Sequence, residues 1–172
     1  YCGLYEATRD EKTAVHIKKI LRIISDKVYN QKKHRQEVFF DLSYNSLIDL
    51  HSYGHDIETA WLVDWGCGLL DDKALCKQIA IITDSLCENV YNLAFAKSSL
   101  YNECENGIVD KTRVWWVQCE AVMGFINHYQ KHPEDVKYLH AAEEIWNVIK
   151  DYIIDKRENS EWFSDIDDDF IS

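Results

Sequence analysis

Residues 27–30 read KVYN, and 62 positions after Tyr29 and Asn30 the same pair returns in NVYN, residues 89–92. The spacing continues. Tyr152, in DYII, follows Tyr91 by 61 residues, Glu58 lands on Glu120 at 62, and Asp41 lands on Glu103 at 62. Asp49 in LID comes within one position of matching Asp110 in IVD. A period this long holds a whole supersecondary unit, here helix, hairpin, helix. Repeated helical units each carry an apolar face that a neighbour must bury, so they stack or close into a ring. The 172 residues hold fewer than three periods, with a unit cut at each end. The expectation is therefore a portion of a larger closed array.

Apolar residues at helical spacing through Ala14, Ile17, Ile20, Leu21, Ile24 and Val28 predict an amphipathic helix. Further helices are predicted near residues 56–70, 73–94, 113–131 and 134–154, and residues 1–8 read as the end of a helix already under way. EVFFDLSYNSLID (37–49) alternates about an Asn/Ser centre and predicts two short strands around a turn. SSLYNECENGIVD (98–110) predicts a second hairpin and EWFSDIDDDF (161–170) the start of a third. One proline and six glycines leave little punctuation for an all-β fold. The predicted class is all-α, in one domain over residues 1–172, with short β-hairpins between helices.

Acidic residues outnumber basic ones by 30 to 19, a net charge of −11 spread along the chain, which disfavours nucleic acid and anionic membranes as partners. No apolar run approaches the roughly 20 residues that span a bilayer, and the first residues lack the pattern of a secretory signal. The six cysteines form no CxxC pair and mostly sit in apolar helical stretches, which suits reduced thiols and a cytoplasmic protein better than a disulfide framework.

The chemistry gathers around SYGHDIETAW (52–61). Glu58 shares a helical face with Trp61, Leu62, Trp65 and Leu69, so a carboxylate sits on an apolar stripe. Glu120 repeats the oddity, four residues after Trp116 and three before Met123. Burying carboxylates without partners is costly. In a ring of helix pairs these faces line the central cavity, where carboxylates accept sugar hydroxyls and indoles stack on pyranose C–H faces. His55 lies three residues before Glu58, and imidazole, with an ordinary pKa near 6.5, suits proton abstraction at neutral pH.

Plainer readings stand beside these. Asp56 is a natural N-cap, Glu58 suits the positive end of a helix, His55 fits a structural role, and Trp61, Trp65, Trp115 and Trp116 fit a core. His128 and His132 in HYQKH have i,i+4 spacing but no clear third ligand, so no metal is expected. DIDDD (165–169) lacks the glycine and distal glutamate of a calcium loop and reads as a solvated turn. Nucleotide-binding and GxSxG motifs are absent.

SYGHDIETAWL (52–62), RVWWVQCEAVMGFIN (113–127) and EWF (161–163), in that order, resemble the cellobiose 2-epimerase branch of the N-acylglucosamine 2-epimerase family. The resemblance runs the length of the chain and covers the C-terminal half of such proteins. It implies about half of an (α/α)6 barrel of six helix hairpins. It also implies inversion at C2 of a reducing-end aldose, with no cofactor, by deprotonation to a cis-enediolate and reprotonation on the other face. By resemblance His55 is one of two acid/base histidines and Glu58 a carboxylate that positions it. Trp61, Trp116 and Glu120 then contact a mono- or disaccharide. The family's partner histidine, in a CPYHN-like segment, and a further histidine ahead of the segment matching Tyr1 have no counterpart here, and Cys119 stands where alanine is common. The chain alone is accordingly expected to be inactive. The competing expectations are an aldose–ketose isomerase, an (α/α)6-barrel glycoside hydrolase using Glu58 and Glu120, and a non-catalytic half-barrel that only binds sugar or pairs with another copy as a homodimer.

Overall fold

The computed structural model describes residues 1–172 and contains six α-helices: α1 (Cys2–Thr8), α2 (Glu11–Ile23), α3 (Tyr53–Gly68), α4 (Lys73–Ala94), α5 (Trp115–Lys131) and α6 (Val136–Val148). One turn of π-helix extends α2 (Ile24–Val28), and another extends α6 (Ile149–Ile153). The sequence period reappears in the element starts. The helices α2, α4 and α6 begin at residues 11, 73 and 136, and α3 and α5 begin at 53 and 115. The helices α3 and α5 lie side by side, with α4 packed on α3 and α6 on α5.

The helices begin in different ways, and α6 has no side-chain cap. Asp10 and Asp72 cap α2 and α4 by accepting the backbone N–H of Thr13 (2.9 Å) and Leu75 (3.1 Å). The helices α3 and α5 have no side-chain cap. They run directly out of strands, and Tyr53 and Trp115 donate their N–H to the carbonyls of Asn102 and Ser164. The repeated tyrosines tie unit to unit: Tyr29 donates to Ser85 Oγ on α4 (2.9 Å), and Tyr91 meets Tyr138 on α6 edge to face at 5.2 Å. Tyr91, Phe125 and Tyr138 anchor the larger core between α4, α5 and α6, while Ile17, Leu21, Val63, Leu75 and Ile79 form a second one between α2, α3 and α4.

The strands are short and all antiparallel: β1 (Tyr29–Asn30) with β2 (Arg35–Gln36), β4 (Phe95–Ala96) with β5 (Ser99–Leu100), and β8 (Arg113–Val114) with β9 (Asp165–Ile166). A three-stranded sheet joins β3 (Leu50–Ser52) to β6 (Glu103–Glu105) and β7 (Ile108–Asp110), so Ser52 faces Glu103 across two repeats. The hairpin expected over residues 37–49 reduces to one bridge, Phe40 to Ser46, around a turn held by the Asp41 carboxylate. Its alternating apolar residues have nothing to cover them; Phe39, Leu42 and Leu47 are exposed. Residues 98–110 contribute to two hairpins rather than one. DIDDD is more than a solvated turn, because Asp168 accepts from buried Arg113 at 2.5 Å. Arg113 also donates to Ser99 (3.1 Å) and lies over Tyr101, locking β8 and the start of α5 in place.

Candidate active site

All five residues singled out from the sequence lie on the adjacent helices α3 and α5. Glu58 and Glu120 are each the sixth residue of their helix, and both are half-buried. His55 is exposed on the first turn of α3, its ring edge-on to Trp116 at 5.0 Å between centroids. Trp61 donates its indole N–H to Glu120 Oε2 at 2.7 Å, crossing from α3 to α5. Burial, then the nearby negative charge of Glu120, raises the pKa of Glu58 above the ordinary carboxylate value, and His55 pulls it back. None of the four tryptophans suspected of being core is buried: Trp61 and Trp116 are half-buried, Trp65 and Trp115 exposed. Trp61 stacks on Trp65 at 6.3 Å, beside an open groove of about 550 Å³ that also touches Met123 and Asn127.

This closeness depends on two glycines. A Cβ on Gly54 would stand 2.5 Å from the Trp116 ring and 2.8 Å from Val117, and one on Gly124 would run into Ile57. Only hydrogen at both positions lets α3 and α5 approach so far.

Asp56 does not cap α3. The helix begins three residues earlier, at Tyr53, and Asp56 is fully buried, accepting from the Gln36 N–H (3.0 Å) and bonded to His51 Nε2 (2.7 Å). It thereby pins strand β2 to the first turn of α3. Burial pushes its pKa up against these two partners.

Two neighbours of His55 were missed. Ser52 Oγ lies 2.7 Å from His55 Nδ1. When Nδ1–H donates to that oxygen, the Nε2 lone pair is free to take a proton. The three-residue spacing from Ser52 to His55 was visible in the sequence. Glu103, facing Ser52 on β6, has a raised pKa through burial and the charges of Asp110 and Glu105, with His55 lowering it. Only the strand pairing reveals that placement.

The family model for N-acylglucosamine 2-epimerase matches residues 2–170. A cellobiose 2-epimerase of Ruminococcus albus is 46% identical over 166 residues, covering 96% of this chain and 42% of that protein. One from Dictyoglomus turgidum is 43% identical over 171 residues, covering 99% and 44%. The crystal structure of a sugar epimerase from a ruminal bacterium superposes with a TM-score of 0.95 at 46% identity, over 99% of this chain and 44% of that one. The chain thus spans less than half the length of the relatives it matches, and its helix pairs form the corresponding part of an (α/α)6 barrel. This chain belongs to the N-acylglucosamine 2-epimerase family.

Proposed function

We propose that this chain is the C-terminal part of the barrel domain of a carbohydrate 2-epimerase acting on the reducing-end aldose of a mono- or disaccharide of the cellobiose, glucose or N-acylglucosamine type. The observation that carries the reading is the grouping of His55, held by Ser52 and flanked by Trp116, with Glu58 and the Trp61–Glu120 pair on two adjacent helices. In this reading the ring-opened sugar stacks on Trp61 and Trp116, and Glu120 receives hydroxyls. The C1 aldehyde acidifies the proton on C2, and His55 Nε2 removes it. The C2–H electron pair becomes the C1=C2 bond of a cis-enediolate while the carbonyl electrons move to O1. A second acid on the opposite face returns a proton to C2, O1 reforms the carbonyl, and the configuration inverts with no net oxidation. No cofactor is required, since the substrate's own carbonyl stabilises the charge.

The second acid, by family resemblance a histidine, lies outside these residues, so the 172-residue chain is proposed to be inactive alone. The apolar groove between α2 and α3, lined by Ile17, Ile20, Ile24 and Leu62, then receives the rest of the barrel rather than a second copy. No helix is long and apolar enough to cross a membrane. Six free thiols support a reducing, cytoplasmic setting. The test is to give the protein from its complete reading frame cellobiose, glucose and N-acetylglucosamine separately and read the products by NMR. The C2 epimer of at least one sugar is expected. Ketose alone would identify an isomerase, cleavage a hydrolase, and unchanged sugar with all three would overturn the reading.

A further inference from the structure

His128 lies in the last turn of helix α5, and His132 follows as its C-cap. The third ligand that their spacing lacks comes from α4. Asp84 Oδ2 lies 3.2 Å from His132 Nε2, and Asp84 Oδ1 lies 3.5 Å from His128 Nδ1. One donor atom from each of the three residues falls within a 4.8 Å circle of the others. Both of these imidazole nitrogens are buried, and neither makes a hydrogen bond. His128 is 5% exposed, so bulk water does not serve its nitrogen.

An unpaired buried polar atom costs about 1–3 kcal/mol, and two of them around one carboxylate call for a common partner. An N–H on each nitrogen would meet the Asp84 oxygens only at 3.2 and 3.5 Å and without hydrogen-bond geometry. A metal ion satisfies both. Bonds of about 2.0–2.2 Å to nitrogen and oxygen separate tetrahedral ligands by roughly 3.3–3.6 Å, and the donor atoms of Asp84, His128 and His132 lie within 4.8 Å of one another. Metal binding would draw them together by up to about 1.2 Å through side-chain rotation. The opposite nitrogen of each ring faces a further carboxylate, His128 Nε2 at 3.8 Å from Asp135 and His132 Nδ1 at 3.9 Å from Glu134. Lys131 Nζ occupies only the Oδ1 side of Asp84, at 2.7 Å, and its charge is shared with Asp64 Oδ2 at 2.8 Å. Asp84 Oδ2 stays open.

We propose that Asp84, His128 and His132 bind one divalent transition-metal ion of the zinc type, with water as the fourth ligand. Two imidazoles and one carboxylate suit zinc or cobalt better than magnesium or calcium, which favour all-oxygen sites. The site lies at the C-terminal end of α5, away from His55 on the first turn of α3. Its role is to fasten α4 to the end of α5, joining one helical hairpin to the next.

The test uses the protein from its complete reading frame, stripped with chelator and titrated with Co(II). The wild type is expected to take up one equivalent with visible d–d absorption and no thiolate charge-transfer band, and Zn(II) is expected to raise its melting temperature. Asp84→Asn and His132→Ala should each weaken Co(II) binding by about tenfold or more and abolish the zinc-dependent shift. His132 is one-third exposed at a helix end, so its removal tests the ligand even where Asp84→Asn loosens the contact between helices. The proposal is overturned if the wild type binds no Co(II), if binding carries a thiolate band, or if His132→Ala binds as tightly as the wild type.

Discussion

Gly54→Ala tests whether the α3–α5 contact sets the site. The added methyl would sit 2.5 and 2.7 Å from two atoms of the Trp116 ring and 2.8 Å from Val117 Cγ2. Ordinary contact begins near 3.4 Å, so the indole must retreat by about 0.9 Å or α3 must lift from α5. Overpacking of this kind costs about 1–3 kcal/mol of stability. Trp116 flanks His55 at 5.0 Å, and displacement of a positioning group by about 1 Å costs on the order of 100-fold in turnover. Gly68→Ala is the control, since nothing lies within 4 Å of its Cβ position. There alanine should be neutral, or stabilise by up to about 1 kcal/mol through helix propensity. Urea unfolding and epimerisation kinetics on the full-length protein read both effects. Stability and kcat/KM for Gly54→Ala equal to those of Gly68→Ala would refute the reasoning.

Glu58→Gln should destroy epimerisation yet stabilise the fold at neutral pH. The raised folded pKa of Glu58 means that ionisation costs the native state. The cost is absent below the unfolded value near 4.3, grows as pH rises towards the folded pKa, and is full above it. The melting-temperature gain of the variant should therefore shrink towards zero near pH 4; a gain independent of pH would contradict this origin. Ser52→Ala should lower kcat about tenfold by freeing His55 Nδ1 to turn, with about 1 kcal/mol or less lost in stability. Trp61→Phe, which removes the donor to Glu120, should raise KM severalfold with little change in kcat, measurable in steady state. Arg113→Met should lower the urea midpoint, because it empties the clamp between Asp168, Ser99 and Tyr101.

The fold was legible mainly through periodicity. The 62-residue spacing of Tyr29 and Tyr91 marks equivalent points near the C-terminal ends of α2 and α4, and that of Glu58 and Glu120 the same turn of α3 and α5. Local pattern failed where tertiary pairing decides. Asp56 has the residue type and position of a cap, but β3 pairs with β6 and lets α3 start at Tyr53, turning Asp56 inward onto His51 and Gln36. The alternation in residues 37–49 resembles a hairpin, yet no partner in this chain covers Phe39 or Leu42. The carboxylate–tryptophan stripe was readable because helical spacing fixes which side chains share a face. Glu103 and Asp84 were not, since each reaches its histidine from a different element, across a strand pairing or a helix interface.

The central claim is that His55 is one of the two groups that move the C2 proton. Full-length protein incubated with cellobiose in D2O should place deuterium at C2 of the reducing sugar as epimer accumulates, and His55→Ala should abolish both signals while retaining wild-type melting. Deuterium incorporation by His55→Ala at the wild-type rate, or epimerisation by the wild type without any incorporation, would contradict the account.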